Sequence, residues 1–148
     1  MSTTLITYDN GNDHVGDKDK SPRYMHSHGV LTDDGLLTVT TRTWTDILMA
    51  GFHGGVKAQL ADANGICVAQ TPVHVFGVDG KWIGQHDRTD TWTYNVDPAT
   101  AAKAKSMTFT NSWNYEWLQS VQNTMKWIGV AIAVLAQAVD QSGNGQIS

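Results

Sequence analysis

Three stretches of the chain alternate apolar and polar side chains with a period of two. Leu37, Val39, Thr41 and Thr43 alternate with Thr38, Thr40 and Arg42; Trp92, Tyr94 and Val96 with Thr91, Thr93 and Asn95; Met107, Phe109, Asn111 and Trp113 with Ser106, Thr108, Thr110 and Ser112. Successive side chains of a strand point to opposite faces, so this period predicts half-buried strands. Val56, Ala58 and Leu60 alternate with Lys57, Gln59 and Ala61, and Asp62-Ala63-Asn64-Gly65 then signals a turn, because Asn and Gly tolerate positive φ. With Ile66 to Gln70 this predicts a hairpin over residues 56–70, and Val73 to Val78 predicts a further strand. Gly51, Gly54 and Gly55 read as a loop before the hairpin. Asp97-Pro98 predicts a short helical or turn segment through Lys105, with Asp97 as its N-cap and Pro98 at the first helical position.

The period changes after Asn114. Leu118, Val121, Met125, Ile128, Ile132, Leu135 and Val139 step by three and four, which places them on one stripe of an α-helix. Asn114 is the expected N-cap, Glu116 suits the first turn, and Gly143 and Gly145 lie beyond the end. From Trp127 to Val139 the side opposite the stripe is apolar as well, occupied by Val130, Ala133 and Ala136. A helix apolar all round is buried all round, and one sheet covers one face. A self-association surface is therefore expected over Trp127, Val130, Ile132, Val134 and Leu135.

The expected fold class is mainly β: an antiparallel β-sandwich, or a curved sheet, with one long C-terminal α-helix. The chain reads as a single domain of 148 residues: an irregular N-terminal arm over 1–34, a β core over 35–113, the helix over 114–139 and a tail over 140–148. Within the arm, Thr4 to Tyr8 and Tyr24 to Val30 are candidates for short strands.

Charge narrows the partners. The net charge is −4 with no basic patch, so no nucleic-acid partner is expected, nor attraction to anionic lipid by charge alone. The single cysteine, Cys67, excludes an internal disulfide and reads as a small buried hydrophobe. The N-terminus carries no signal-peptide pattern, which leaves the cytoplasm or a non-classical export route as expectations. The apolar run from Trp127 to Ala136 falls short of the ~20 residues that span a bilayer, so no transmembrane segment is expected.

Several residues carry candidate chemistry. His26 and His28 sit two apart, so on a strand both rings point to one side and could share a metal; the plainer reading is two exposed imidazoles. His86, Arg88 and Asp90 pack base, cation and acid into five residues, a candidate polar ligand site or a polar turn. Trp82, beside the turn Asp79-Gly80, is a candidate exposed platform for a sugar ring or a lipid interface. The Asp9–Asp13 run departs from the calcium-loop template, and His53-Gly54-Gly55 has no Gly-x-Ser-x-Gly elbow to serve. No cofactor is expected. These readings favour a non-catalytic binding or assembly module that forms a homo-oligomer through its C-terminal helix. The alternatives are a lectin-like or membrane-active protein using exposed Trp on a carbohydrate or lipid surface, and an enzyme with a histidine in a pocket between sheet and helix.

Overall fold

Alternation decides the architecture. In the computed structural model, which describes residues 2–10, 14–15, 22–116 and 118–119, the strands are β1 (Thr4–Asp9), β2 (His14–Val15), β3 (Arg23–Thr32), β4 (Leu36–Thr45), β5 (Phe52–Ala61), β6 (Cys67–Gln70), β7 (His74–Val78), β8 (Asp87–Asn95) and β9 (Ser106–Ser112). The one complete helix among the described residues is α1 (Pro98–Lys103), with Pro98 in its first turn as expected. Asp97 takes the capping position without a side-chain hydrogen bond.

The strands form two antiparallel sheets. The first runs β1-β3-β4-β8, with β2 continuing the β1 edge against β3. In the second, β5 is central, with β9 along one edge and β6 and β7 end to end along the other. In β3 and β4 every second residue is buried: Met25, Ser27, Gly29 and Leu31 on one, and Leu37, Val39, Thr41, Thr43 and Thr45 on the other. These faces meet the second sheet. A Cβ on Gly29 would lie 2.7 Å from both Met107 Sδ and Phe109 Cζ, so Gly29 is where the Phe109 ring crosses β3. Tyr8 packs on the same ring at 5.7 Å.

Part of the core between the sheets is polar. Trp92 Nε1 donates to Thr41 Oγ1 (3.1 Å), Thr41 and Ser27 hydroxyls share a hydrogen bond (3.0 Å), and Ser27 Oγ donates to Asn111 Oδ1 (3.1 Å). Asn111 Nδ2 donates to Asn10 Oδ1 (3.0 Å), which also accepts the Ser27 backbone N–H (2.5 Å). All five residues are buried. The chain of bonds crosses from β8 through β4 and β3 to β9 and ends on the residue after β1.

The second sheet is unusual for an antiparallel one, which commonly leaves one face to water. Phe52, Gly54, Val56, Ala58 and Leu60 face the other sheet, yet Lys57 and Gln59 on the outer face are also buried, at 0% and 2% exposure. Gln59 exchanges hydrogen bonds with Thr108 and Thr110 across the β5–β9 pair, and Lys57 Nζ donates to Gln70 Oε1 (2.6 Å). At Gly55 the cover is the segment after β9: a Cβ there would lie 2.9 Å from Tyr115 Cβ and 3.0 Å from Tyr115 Cα.

Three expectations change. The strand candidates within the expected irregular arm are strands of the first sheet, at 4–9 and, longer than expected, 23–32, because their alternate residues Ile6, Tyr8, Met25, Ser27 and Leu31 face the core. Gly54 and Gly55 are strand residues, not loop: glycine in a strand marks a close approach, here of Met25 on one face and Tyr115 on the other. In the turn before β6 only Gly65 takes positive φ, at 78°; Asn64 does not, and the Asp62 carboxylate holds the turn by accepting the N–H groups of Asn64 and Ile66. The long helix expected over 114–139, with Trp127, Val130, Ile132, Val134 and Leu135, lies outside the described residues apart from its start. There Tyr115, Glu116, Leu118 and Gln119 have helical backbone, and Leu118 N–H donates to the Asn114 carbonyl (3.2 Å). Among the described residues no helix is long and apolar enough to cross a membrane.

Two substitutions test this packing. Asn111→Ala leaves Asn10 and Ser27 short of partners in a buried site, and the expected loss is ~1–3 kcal/mol in chemical denaturation; an unchanged midpoint would contradict the buried chain. Gly55→Ala forces Cβ against Tyr115 backbone, so melting should fall and the Tyr115 environment should shift, whereas Gly65→Ala should cost strain alone without moving Tyr115.

Candidate functional site

Strand direction gathers four connections at one end of the sandwich. Arg23 opposite Thr45, Trp44 opposite Asp87, Phe52 opposite Val78 and Gly55 opposite Ser112 put the start of β3, the end of β4, the starts of β5 and β8, and the ends of β7 and β9 together. The β4–β5 and β7–β8 loops meet there. Lys81 N–H donates to the Ile47 carbonyl (2.7 Å) and Trp82 N–H to the Leu48 carbonyl (2.9 Å), while Gly80 sits so close that a Cβ would lie 2.5 Å from Ala50 N. Two loops bonded backbone to backbone present their side chains outward. Leu48, Met49, Trp82 and Ile83 are exposed by 39%, 67%, 73% and 58%. The other large exposed hydrophobics among the described residues, Leu5, Ile66 and Val75, are on other elements.

Behind this tip lies an open cleft of about 350 Å³, lined by Arg23, His53, Trp113, Tyr115 and Glu116 among others. The Arg23 guanidinium lies 5.1 Å from the centre of the Trp113 ring, and its Nε, like Trp113 Nε1, is buried without a partner among the described residues. Burial pulls the Arg23 pKa below the usual arginine value. The His53 ring meets Tyr115 edge-on at 6.1 Å. Among the described residues the lining contains no Ser, Cys, Thr or Lys, and His53 and Glu116 make no hydrogen bond to each other. A cleft with charged and aromatic walls can bind a small polar ligand.

The residues singled out in the sequence fall in different places. Trp82 stands on the tip. Arg88 and Asp90 face inward from β8 and close on each other through two bonds (2.7 and 2.9 Å), with Arg88 also donating to the Gly77 carbonyl (3.1 Å). The Asp90 carboxylate raises the Arg88 pKa. The two side chains thus satisfy each other within one strand. His86 sits just before β8, where its carbonyl accepts the Thr45 N–H (3.0 Å). His26 and His28 do share one side of β3, as their spacing implies, and both approach the Asp9 carboxylate, His28 at 3.9 Å. No group of three or more His, Cys, Asp or Glu among the described residues is arranged to hold a metal. Beside them on the outer face, Arg42 lies over Trp44 at 4.1 Å and forks onto Asp87 (3.0 and 2.7 Å), holding the Asp87 pKa below its usual range. Trp44 in turn stacks on Tyr24 at 5.1 Å.

Sequence reasoning passed over Arg23 and Trp113 as a site. No local signal marked them: that Arg23 faces Thr45 and not an acid appears only from the strand pairing. One buried and two half-buried titratable groups also emerge. His74 stacks on Trp92 at 4.1 Å, and burial lowers its pKa while the Pro72 carbonyl acts the other way. Burial lowers the Lys57 pKa to about 8, and half-burial raises that of Cys67. Lys57 spends its amine on Gln70 and is not in the lining of this cleft, so its shift reads as structural.

Comparison with protein-family models, with curated proteins and with solved structures finds no match.

Lys57 gives a pH signature. Its amine loses its proton near pH 8 in the folded chain and near 10.5 in the unfolded one, so the unfolded state binds more protons between those values. Stability should therefore rise with pH across that window, by up to roughly 3 kcal/mol from this group. Cys67 works oppositely as pH climbs past its unfolded value, so the comparison is with Lys57→Met, which keeps Cys67. Relative to that variant the parent should gain stability from pH 8 to 10.5; a constant difference would contradict the buried amine.

Proposed function

We propose that the chain is a non-catalytic binding module that seats on a lipid–water interface through the loop end of its sandwich. The observation that supports this most is the tip itself: four large apolar side chains, one of them a tryptophan, exposed on two loops whose backbones are bonded together. Loops held by a rigid sheet are where binding residues concentrate. Trp favours the headgroup level of a bilayer, and Lys81 beside Trp82 can stay in water while its neighbours enter the apolar layer.

A sugar platform needs polar partners at the edge of the ring. The exposed large side chains that share the loops with Trp82 are mainly apolar, Leu48, Met49 and Ile83, with Asp46, Asp79 and Lys81 as the charged exceptions. Charge does not drive the seating: Asp46 and Asp79 accompany Lys81 on the same loops. Apolar insertion depends little on ionic strength, unlike attraction between exposed charges. The self-association expected from Trp127 to Leu135 falls outside the described residues, so this reading rests on the loop end.

Flotation with uncharged phosphatidylcholine vesicles tests it. The parent should float, with little change between low and high salt. Trp82→Ser should weaken partitioning roughly 30-fold, for about 2 kcal/mol of lost apolar transfer, and Trp82→Ser with Ile83→Ser should abolish it. Melting temperature should hardly move, since both side chains are exposed. A parent that stays in solution with vesicles at millimolar lipid overturns the reading.

A further inference from the structure

The three arginines differ in one respect. Arg42 forks onto Asp87 and Arg88 onto Asp90, each through two short hydrogen bonds. Arg23 pairs with no carboxylate among the described residues; its recorded contact is the Trp113 ring. Its Nε and the Trp113 Nε1 are buried donors without acceptors among the described residues, and both residues line one cleft. A guanidinium presents five donors in a planar fork that matches a phosphate. Glu116 lines the same cleft, is exposed, and pairs with no cation among the described residues. Tyr115 also lines the cleft. A cation and an anion with no ionic partner among the described residues, together with an aromatic residue, match a small zwitterion.

We infer that this cleft receives the zwitterionic headgroup of a phospholipid, with Arg23 bonding the phosphate and Glu116, with Tyr115, facing the ammonium. Position supports the choice. Gly51 belongs to both the β4–β5 loop that carries Leu48 and Met49 and the lining of the cleft, so a headgroup there would sit directly behind the inserted side chains. A volume of about 350 Å³ lies at the small end of ligand clefts and suits a headgroup without its acyl chains. Aromatic faces attract quaternary ammonium groups. The inference rests on the membrane-seating reading for the source of the headgroup, and its chemistry can be tested with no bilayer present.

The experiment titrates the full chain with glycerophosphocholine, which has the headgroup and no tails, and separately with inorganic phosphate and with choline. Nuclear magnetic resonance of the Trp113 indole N–H and the Arg23 Nε–H reads binding. Glycerophosphocholine should shift both signals, at least about tenfold more tightly than phosphate or choline alone, because both charged ends are engaged. Arg23→Gln should remove the response. Glu116→Gln, at an exposed position that leaves folding intact, should weaken glycerophosphocholine about tenfold and leave phosphate unchanged. No shift with glycerophosphocholine in the parent overturns the inference, and leaves the tip reading standing if the parent still floats with vesicles. Equal affinity for phosphate and glycerophosphocholine also overturns it, since Glu116 would then have no part. Binding of glycerophosphocholine by a parent that does not float supports the cleft and removes the membrane as its source.

Discussion

The two sheets are held in register by a buried chain of hydrogen bonds running Trp92–Thr41–Ser27–Asn111–Asn10. Apolar contacts tolerate small slides, whereas a buried polar group left without its partner costs ~1–3 kcal/mol. Each bond in the chain joins residues at least 14 apart in sequence, and the longest joins Asn10 to Asn111. A slide of β3, β4, β8 or β9 by one residue would flip its side chains to the other face and break the chain. The polar set thus selects one alignment among those that hydrophobic burial alone would permit.

That alignment has consequences at the loop end. With β3 and β9 fixed relative to each other, Arg23 at the start of one and Trp113 just past the end of the other come within 5.1 Å. With β4 and β8 fixed, the loops after β4 and before β8 meet and bond, which sets Leu48, Met49, Trp82 and Ile83 side by side in water. The outer face of β5 adds a second restraint. Its buried Lys57 and Gln59 are answered by Gln70, Thr108 and Thr110, and Gly55 admits Tyr115 against the sheet. The segment carrying Trp113, Tyr115 and Glu116 is therefore held at the mouth of the cleft by a glycine.

Much of the β core was legible in the alternation of side chains. The strands carrying Leu37 to Thr43 and Trp92 to Tyr94 read correctly because each has one clear buried face, and β9 read correctly from its alternating Met107 and Phe109 although Thr110 and Ser112 on its other face are buried as well. β3 was harder to read: its inward residues are Met25, Ser27, Gly29 and Leu31, and a serine and a glycine break the hydrophobic pattern. Both are inward for reasons set by partners far away in the chain, Asn111 for one and Phe109 for the other. β5 hid its first residues because Gly54 and Gly55 look like a loop unless Met25 and Tyr115 are known to lie against them. Trp82 could be flagged from its place beside a turn. Its companions Leu48 and Met49, and the Arg23–Trp113 cleft, depend on pairings across 34 residues or more and left no local trace.

The central claim is that the chain meets a bilayer with one chosen end. The most direct measurement is paramagnetic broadening of side-chain resonances with the chain bound to phosphatidylcholine nanodiscs carrying a spin label in the acyl region. Leu5 and Ile66, exposed apolar residues on other elements, serve as internal controls. The account predicts that the signals of Leu48, Met49, Trp82 and Ile83 broaden while those of Leu5 and Ile66 stay sharp. Uniform broadening across both sets, or broadening confined to Leu5 and Ile66, would contradict it.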